Sequence, residues 1–321
     1  MGKEGHEDHG QPRSLVSPGE LSARRAARHR RRAHRAVGVA LSLVFAALIV
    51  IAAVALTDAR SGRVRVLPLP SHTATATKPV VVRHVRPTGS ASAREAREVD
   101  RVLAHTSYVQ LAGRRRREVA LTFDDGPGPY TREILRVLTS MHAPATFFVI
   151  GRWARLYPKL VAAEVRAGCE VGDHTETHPP LALLSPTAQA AEITEAGQAI
   201  HRAGAPNPVL FRPPYGSFDQ STLGIVRQQR MLMVLWSADT KDYTRPGVHS
   251  IIYTAVSGGQ PGAIILMHDG GGDRTETVAA LPRIITRLRQ RGYQLVTVTR
   301  LIAADPPQSN QPPPHPLSGG I

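Results

Sequence analysis

Residues 119–127 read Val119-Ala120-Leu121-Thr122-Phe123-Asp124-Asp125-Gly126-Pro127. The first five are apolar except for Thr122. They are bounded by Gly126-Pro127, which turns the chain sharply. The stretch therefore reads as a buried strand that stops at two adjacent carboxylates. Carboxylates side by side repel unless a cation or a proton lies between them. Taken alone, Asp-Asp also fits a helix start or an Asx turn.

Working outward, short apolar runs alternate with longer helical patterns between about 118 and 303. The runs are 119–123, 146–150, 169–172, 209–211, 231–236, 263–267 and 294–298. Between them, 131–141 places Ile134, Leu135 and Leu138 at helical spacing, and 158–167 does so with Leu160, Val161 and Val165. Ser185-Pro186 reads as an N-cap and first position opening a helix to about Arg202. Residues 278–291 are apolar at Leu281, Ile284, Ile285 and Leu288. Such alternation implies an α/β protein with a mostly parallel sheet, open or closed into a barrel.

Five of the runs end in a polar cluster. Asp124-Asp125 follows the first, and Asp173-His174-Thr175-Glu176-Thr177-His178 follows the run at Cys169. Arg212-Pro213-Pro214-Tyr215-Gly216 follows 209–211, Asp239-Thr240-Lys241-Asp242 follows 231–236, and His268-Asp269-Gly270 follows 263–267. In a parallel α/β barrel the C-terminal strand ends converge on one face, where such enzymes carry their sites.

His174 and His178 are four residues apart, so on one turn or a tight loop both reach a single ion. Glu176 sits at the wrong offset for a metalloprotease helix. A third ligand is expected from Asp125 or Asp124. Two imidazoles and one carboxylate leave positions open for water and substrate, as catalytic sites do. The same triad suits a non-haem iron oxygenase. Its neighbours point elsewhere: one carboxylate is left to accept a proton from water, and His268 is placed to protonate a leaving group. Base, metal and acid on one face describe hydrolysis.

The ordered set Thr122-Phe123-Asp124-Asp125-Gly126, His174-x-x-x-His178, Arg212-Pro213-Pro214-Tyr215-Gly216, Asp239-Thr240-Lys241-Asp242 and Leu266-Met267-His268 resembles the polysaccharide deacetylase family, the NodB-like carbohydrate esterases of family 4. The resemblance implies an irregular (β/α) barrel with fewer than eight strands, in keeping with the seven runs. It implies Asp124 as general base, oriented by Arg212, and His268 as general acid, partnered by Asp242. It implies Asp125, His174 and His178 as ligands of a divalent metal, usually zinc. The backbone N–H of Tyr215 would help hold the oxyanion, and Leu266 would line the acetyl pocket. Trp236, Tyr243 and Tyr215 are candidate sugar contacts. Tyr243 stands where the family usually has Trp, which bears on substrate preference more than on reaction type. Asp239 competes with Asp242 as the partner of His268 but also reads as a turn residue. Asp269 and Asp273 lie in a Gly-rich loop and read as turn residues.

The formal charge of +15 over 321 residues looks like a nucleic-acid signal until it is placed. Residues 1–118 carry 22 Lys/Arg against 9 Asp/Glu, whereas 119–321 carry 18 against 16. The excess belongs to the front of the chain, so no nucleic-acid partner is expected. Seven arginines between 24 and 35 precede a charge-free apolar stretch, 36–57. As a helix its 22 residues span roughly 33 Å, enough for a hydrocarbon core of about 30 Å. Arginines on the N-terminal side place that end in the cytoplasm. A cleaved signal peptide is the competing reading, but its apolar region would be shorter, about 7–15 residues. Cys169, the single cysteine, excludes an intramolecular disulfide and reads as a buried structural thiol.

The expected organisation is a disordered basic segment over 1–35 and a transmembrane helix over 36–57. An extracytoplasmic linker over 58–113, holding a short helix within 93–113, a catalytic domain over 114–305 and a disordered Pro-rich tail over 306–321 follow. The expected function is a membrane-anchored deacetylase of an extracellular amino-sugar polymer, peptidoglycan before chitin-like oligomers. The alternatives are a chitooligosaccharide deacetylase or O-acetyl esterase of the same fold, and an inactive glycan-binding protein of the cell wall.

Overall fold

In the computed structural model, residues 89–309 and 311 are described. In chain order, α1 (Gly89–Leu103) and β1 (Tyr108–Val109) precede β2 (Glu118–Gly126). Then come α2 (Thr131–Ser140), β3 (Thr146–Val149), α3 (Gly151–Leu156), α4 (Pro158–Arg166), β4 (Glu170–Asp173), α5 (Pro186–Arg202) and β5 (Leu210–Phe211). α6 (Gln220–Gln228), β6 (Leu232–Val234), β7 (Ala238–Asp239), α7 (Val248–Ser257), β8 (Ile264–His268), α8 (Thr275–Gln290), β9 (Gln294–Leu295) and α9 (Val298–Ala304) complete it. Each of the seven apolar runs contains a strand. α5 opens as its sequence indicates: Ser185 Oγ accepts the N–H of Ala188, with Pro186 in the first turn.

The strands form one parallel sheet in the order β1-β6-β5-β4-β3-β2-β8-β7, with β9 pairing the start of β2. The sheet curls. In the strand order β5 and β2 are separated by β4 and β3, yet Arg212, just after β5, touches Asp124 of β2 at 2.7 Å. Alternation along β2 sends Val119, Leu121 and Phe123 outward, where they pack with Ile134, Leu138, Ile284, Ile285 and Leu288 of the helices. The other register, Ala120, Thr122 and Asp124, faces the interior. Ala120 there meets Phe148, Leu210, Leu232, Val234 and Ile264. Both faces of the strand are buried, which is why its apolar run is nearly continuous.

Three expectations need correction. Two further strands join the seven, β1 and β7, each two residues long and too short to show an alternating pattern. The folded body also begins well before residue 114. α1 turns Val99, Val102 and Leu103 into the inner core beside Leu301 and Ile302 of α9, and β1 pairs with β6. Three apolar residues in a charged segment are a weak periodic signal, so 89–112 read as linker. In the tail, the Gln311 side-chain oxygen accepts the N–H of Gln110 at 2.9 Å, satisfying backbone beside β1. The basic segment 1–35, the apolar stretch 36–57, the part of the expected linker over 58–88, and residues 310 and 312–321 lie outside the described residues. Among the described residues no helix is long and apolar enough to cross a membrane. Cys169 is buried, and burial pushes its thiol up to about 12.

Candidate active site

Parallel register sets the floor of the site. Asp124 of β2 lies directly opposite His268 of β8, and Asp173 of β4 opposite Phe211 of β5, one residue before Arg212. The loops beyond are held in uncommon backbone: Asp125, Thr175, His178 and Tyr215 all have left-handed φ, between 59° and 71°. Such conformations in non-glycine residues cost of order 1–3 kcal/mol each and persist only where surroundings impose them. One imposed contact is visible at Gly270: a Cβ there would lie 2.0 Å from the carbonyl oxygen of Asp125. The glycine loop after β8 and the Asp-Asp turn after β2 therefore fit only without a side chain at that point.

Asp125, His174 and His178 each offer one ligand atom, all within 4.8 Å of one another. Asp125 Oδ1 is 3.6 Å from His174 Nε2 and 3.0 Å from His178 Nε2. The other nitrogen of His174, Nδ1, lies 2.6 Å from the carbonyl oxygen of Arg212. A carbonyl only accepts, so Nδ1 carries a proton, and the neutral tautomer this selects has its lone pair at Nε2. His178 Nδ1 meets the Tyr215 hydroxyl at 3.2 Å. Asp125 Oδ1 is buried with no hydrogen-bond donor aligned on it. Burial opposes ionisation of Asp125, but whenever the two imidazoles carry a proton at Nε2 they hold its carboxyl well below the usual range. Lone pairs facing one another across a few ångströms are the donor set a divalent cation satisfies, and the residues fit one.

Asp124 is buried and accepts a 2.7 Å hydrogen bond from Arg212 Nη1. Arg212 is completely buried. Its Nη1 also donates to Thr122 Oγ1, Nε to the Val234 carbonyl and Nη2 to the Leu235 carbonyl, while its plane lies 4.0 Å from the Phe148 ring centroid. One residue thus fixes Asp124 by its side chain and His174 by its carbonyl.

Across the site, His268 Nδ1 meets Asp242 Oδ1 at 2.7 Å. Asp242 Oδ2 accepts the His268 N–H and the Thr277 hydroxyl. Burial disfavours the imidazolium, but Asp242, with Asp124 and Asp125 farther off, holds His268 above its ordinary value. The geometry separates the two candidate partners: Asp239 Oδ1 accepts the N–H of Lys241, a turn contact, and its carboxyl is raised by burial.

The remaining predicted residues line the same cavity of about 560 Å³: Tyr215, Trp236, Tyr243 and Leu266 stand around Asp124, Asp125, His174, His178 and His268. Tyr215 and Tyr243 are exposed, and Tyr243 lies edge-on to the His268 ring at 5.2 Å. The structure adds residues that sequence reasoning missed. Arg152 and Trp153 line the cavity from α3, and Arg274 from the turn before α8. Arg152-Trp153 follows the end of the second run, so a sixth polar strand end was there to be read. Asp269 is no simple turn residue. It is buried, accepts the Thr131 hydroxyl, and is pushed up to about 7, first by burial and then by the charges of Asp125 and Asp124. Asp273 does behave as a turn residue, accepting the N–H of Thr275.

Comparison with known proteins points the same way. The polysaccharide deacetylase family profile matches residues 112–234. A peptidoglycan-N-acetylglucosamine deacetylase of Bacillus cereus is 38% identical over 57% of this chain and 87% of its own length. A chitooligosaccharide deacetylase of Bradyrhizobium is 39% identical over 61% of this chain and 94% of its own. The structure of a family 4 carbohydrate esterase from Streptomyces lividans, in complex with acetate, superposes with a TM-score of 0.53 at 34% identity, over 58% of this chain and 92% of that one. The chain belongs to the polysaccharide deacetylase family, the NodB-like carbohydrate esterases of family 4.

Proposed function

We propose that this chain is a metal-dependent N-deacetylase of an extracellular amino-sugar polymer, peptidoglycan first and chitooligosaccharides second. Family membership makes it a hydrolase of carbon–nitrogen bonds other than peptide bonds. One observation carries the rest: Asp125, His174 and His178 form a ligand cluster flanked by an Arg-held carboxylate and a carboxylate-held imidazole.

A divalent metal on Asp125, His174 and His178, zinc by its preference for such donors, would supply a Lewis acid for the acetyl carbonyl and the attacking water. Asp124, held by Arg212, takes the proton from that water. His268, kept ready in its protonated form by Asp242, delivers a proton to the amine as it leaves. Leu266 is buried against the cavity and offers the acetyl methyl an apolar wall. Tyr215 supplies a backbone N–H for the oxyanion, and Trp236 and Tyr243 contact the sugar. All of these groups are present, which disfavours an inactive glycan-binding role. The names of the relatives support peptidoglycan or chitooligosaccharide as substrate.

The arginine-rich front and the apolar stretch 36–57 support a single-pass anchor with a cytoplasmic N-terminus and an outward-facing catalytic domain. Protease protection of the N-terminus in intact cells, with the catalytic domain cleaved, is the expected result. A mature chain beginning after residue 57 would replace the anchor with secretion.

The deciding assay is acetate release from peptidoglycan fragments and N-acetylglucosamine oligomers. Chelation is expected to abolish release, and added divalent metal to restore it. Activity unaffected by a chelator that removes all bound metal would end the metal mechanism.

A further inference from the structure

Two cations line the cavity without serving the groups described so far, Arg152 and Arg274. The nearby carboxylates are already engaged. Glu176 pairs with Arg155 at 2.6 Å, and Asp273 caps Thr275 and pairs with Arg245 at 3.4 Å. Among the described residues neither Arg152 nor Arg274 has an ion-pair partner.

Arg274 is only 3% exposed. Its Nε donates to the Gly270 carbonyl at 2.8 Å and its Nη1 to the Asp273 carbonyl at 3.0 Å. Carbonyls orient a guanidinium but leave its charge unbalanced. The residue also occupies the N-cap of α8, the positive end of the helix dipole, where a buried cation is disfavoured. Among the described residues Nη2 has no hydrogen-bond partner. Gly271, with φ 72°, passes close by: a Cβ there would lie 3.3 Å from Arg274 Nη2 and only 2.5 Å from Asp125 Oδ2, so the loop admits no side chain at that point. This guanidinium and the metal-ligand cluster line the same cavity. On the rim, Arg152 is exposed and stacks over the Trp153 ring at 4.6 Å. A planar guanidinium held in this way matches a carboxylate bidentately.

We propose that Arg274 and Arg152 form a carboxylate subsite beside the reaction centre. It selects an amino-sugar polymer that carries carboxylates, as the lactyl ethers and peptide stems of peptidoglycan do, over a neutral chitin-like oligomer. The proposal rests on the deacetylase reading and names the substrate class for it. Acetate, the product, shares the same chemistry and is the other ligand such a subsite would take.

The test uses the full-length, metal-loaded enzyme. kcat/KM is measured on a neutral N-acetylglucosamine tetramer and on a muramyl tetrasaccharide of equal length, and the charged-to-neutral ratio is read. Kd for both sugars by calorimetry supplies the same ratio without turnover. Arg274→Gln is expected to lower the ratio about tenfold, in line with a buried charge-assisted hydrogen bond. Arg152→Gln, at an exposed position that folding tolerates, lowers it about two- to fivefold. Arg274→Lys recovers part of the loss, and added salt lowers the wild-type ratio. Both constants falling together at a constant ratio would mean a structural role and overturn the proposal. So would a change confined to inhibition by acetate, which assigns the subsite to product. No acetate from either sugar, with the Kd ratio intact, would instead remove the deacetylase reading and leave the subsite standing.

Discussion

On one side of Asp125, His174 and His178, a carboxylate is held by a guanidinium; on the other, an imidazole is held by a carboxylate. The two arms are built differently. Arg212 has no exposed surface and reaches Thr122, Asp124 and the carbonyls of Val234 and Leu235 at the end of β6 while stacking on Phe148. Asp242 sits in a short 3-10 turn, Asp242–Thr244, and its partner His268 lines the open cavity. The Asp124 arm is therefore part of the barrel interior, and the His268 arm is mounted on its mouth. Arg212, embedded in the core, keeps its charge throughout, so Asp124 takes up its proton beside a permanent cation. A group at the mouth is free to give up a proton and regain it from solvent. The contrast predicts that damage to the first arm costs stability at every working pH as well as rate, whereas damage to the second acts on rate and on the pH dependence of rate and stability.

The largest expected effect on rate is Asp124→Asn, a loss of about 10²–10⁴-fold in kcat with metal content retained, measured by acetate release and metal analysis. Retained activity would move the base elsewhere and dissolve the distinction between the arms. Arg212→Met comes next. It leaves Asp124 buried without its cation, at about 3–5 kcal/mol of stability, read as a large drop in Tm together with lost activity. A variant that folds as well as wild type would show that the interior arm is not integral to the core.

Asp242→Asn sharpens the other side. His268 loses the neighbour that raises it, so the alkaline limb of the pH–rate profile moves to lower pH, with a rate loss of about tenfold. The sign for stability follows from the same pair. Burial opposes the charge on Asp242, but His268 and Thr277 lower its carboxyl, so its contribution is full above about pH 3.9 and lost as pH falls through the lowered value. His268 is raised, so its contribution is full below about pH 6.5 and lost as pH rises through the raised value. Chemical denaturation across pH should show the wild-type advantage over Asp242→Asn greatest between those limits. An unchanged alkaline limb would free His268 from Asp242. The smallest effect belongs to Tyr243→Trp, which enlarges the ring edge-on to His268. It should change KM by no more than about threefold, with kcat nearly constant, since the residue borders the cavity without joining either arm.

Much of this was legible in the chain alone. Seven apolar runs, each bounded by turn residues, reported the parallel strands, because burial on both faces leaves an unbroken apolar signature. Five polar strand ends reported the site, because parallel strands must bring like ends to one face. His174 and His178 announced themselves by spacing, which is local. Other features had no local signal. β1 and β7, with two residues each, have no period to read, and α1 shows three apolar positions whose partners lie in α9 and the far strands. Whether Asp239 or Asp242 holds His268 depends on which of two carboxylates three residues apart turns toward another strand, and spacing alone does not orient a side chain. Arg274 belongs to no motif in the sequence, and only packing buries it at the cavity that holds the ligand cluster. By itself the sequence determined which residues alternate, where strands end and which chemistry gathers there, since each of these is written in neighbouring residues. Only the tertiary structure decided who meets whom across the barrel, how deeply each charge is buried and which cations are left without a partner, since these depend on distances between residues far apart in the chain.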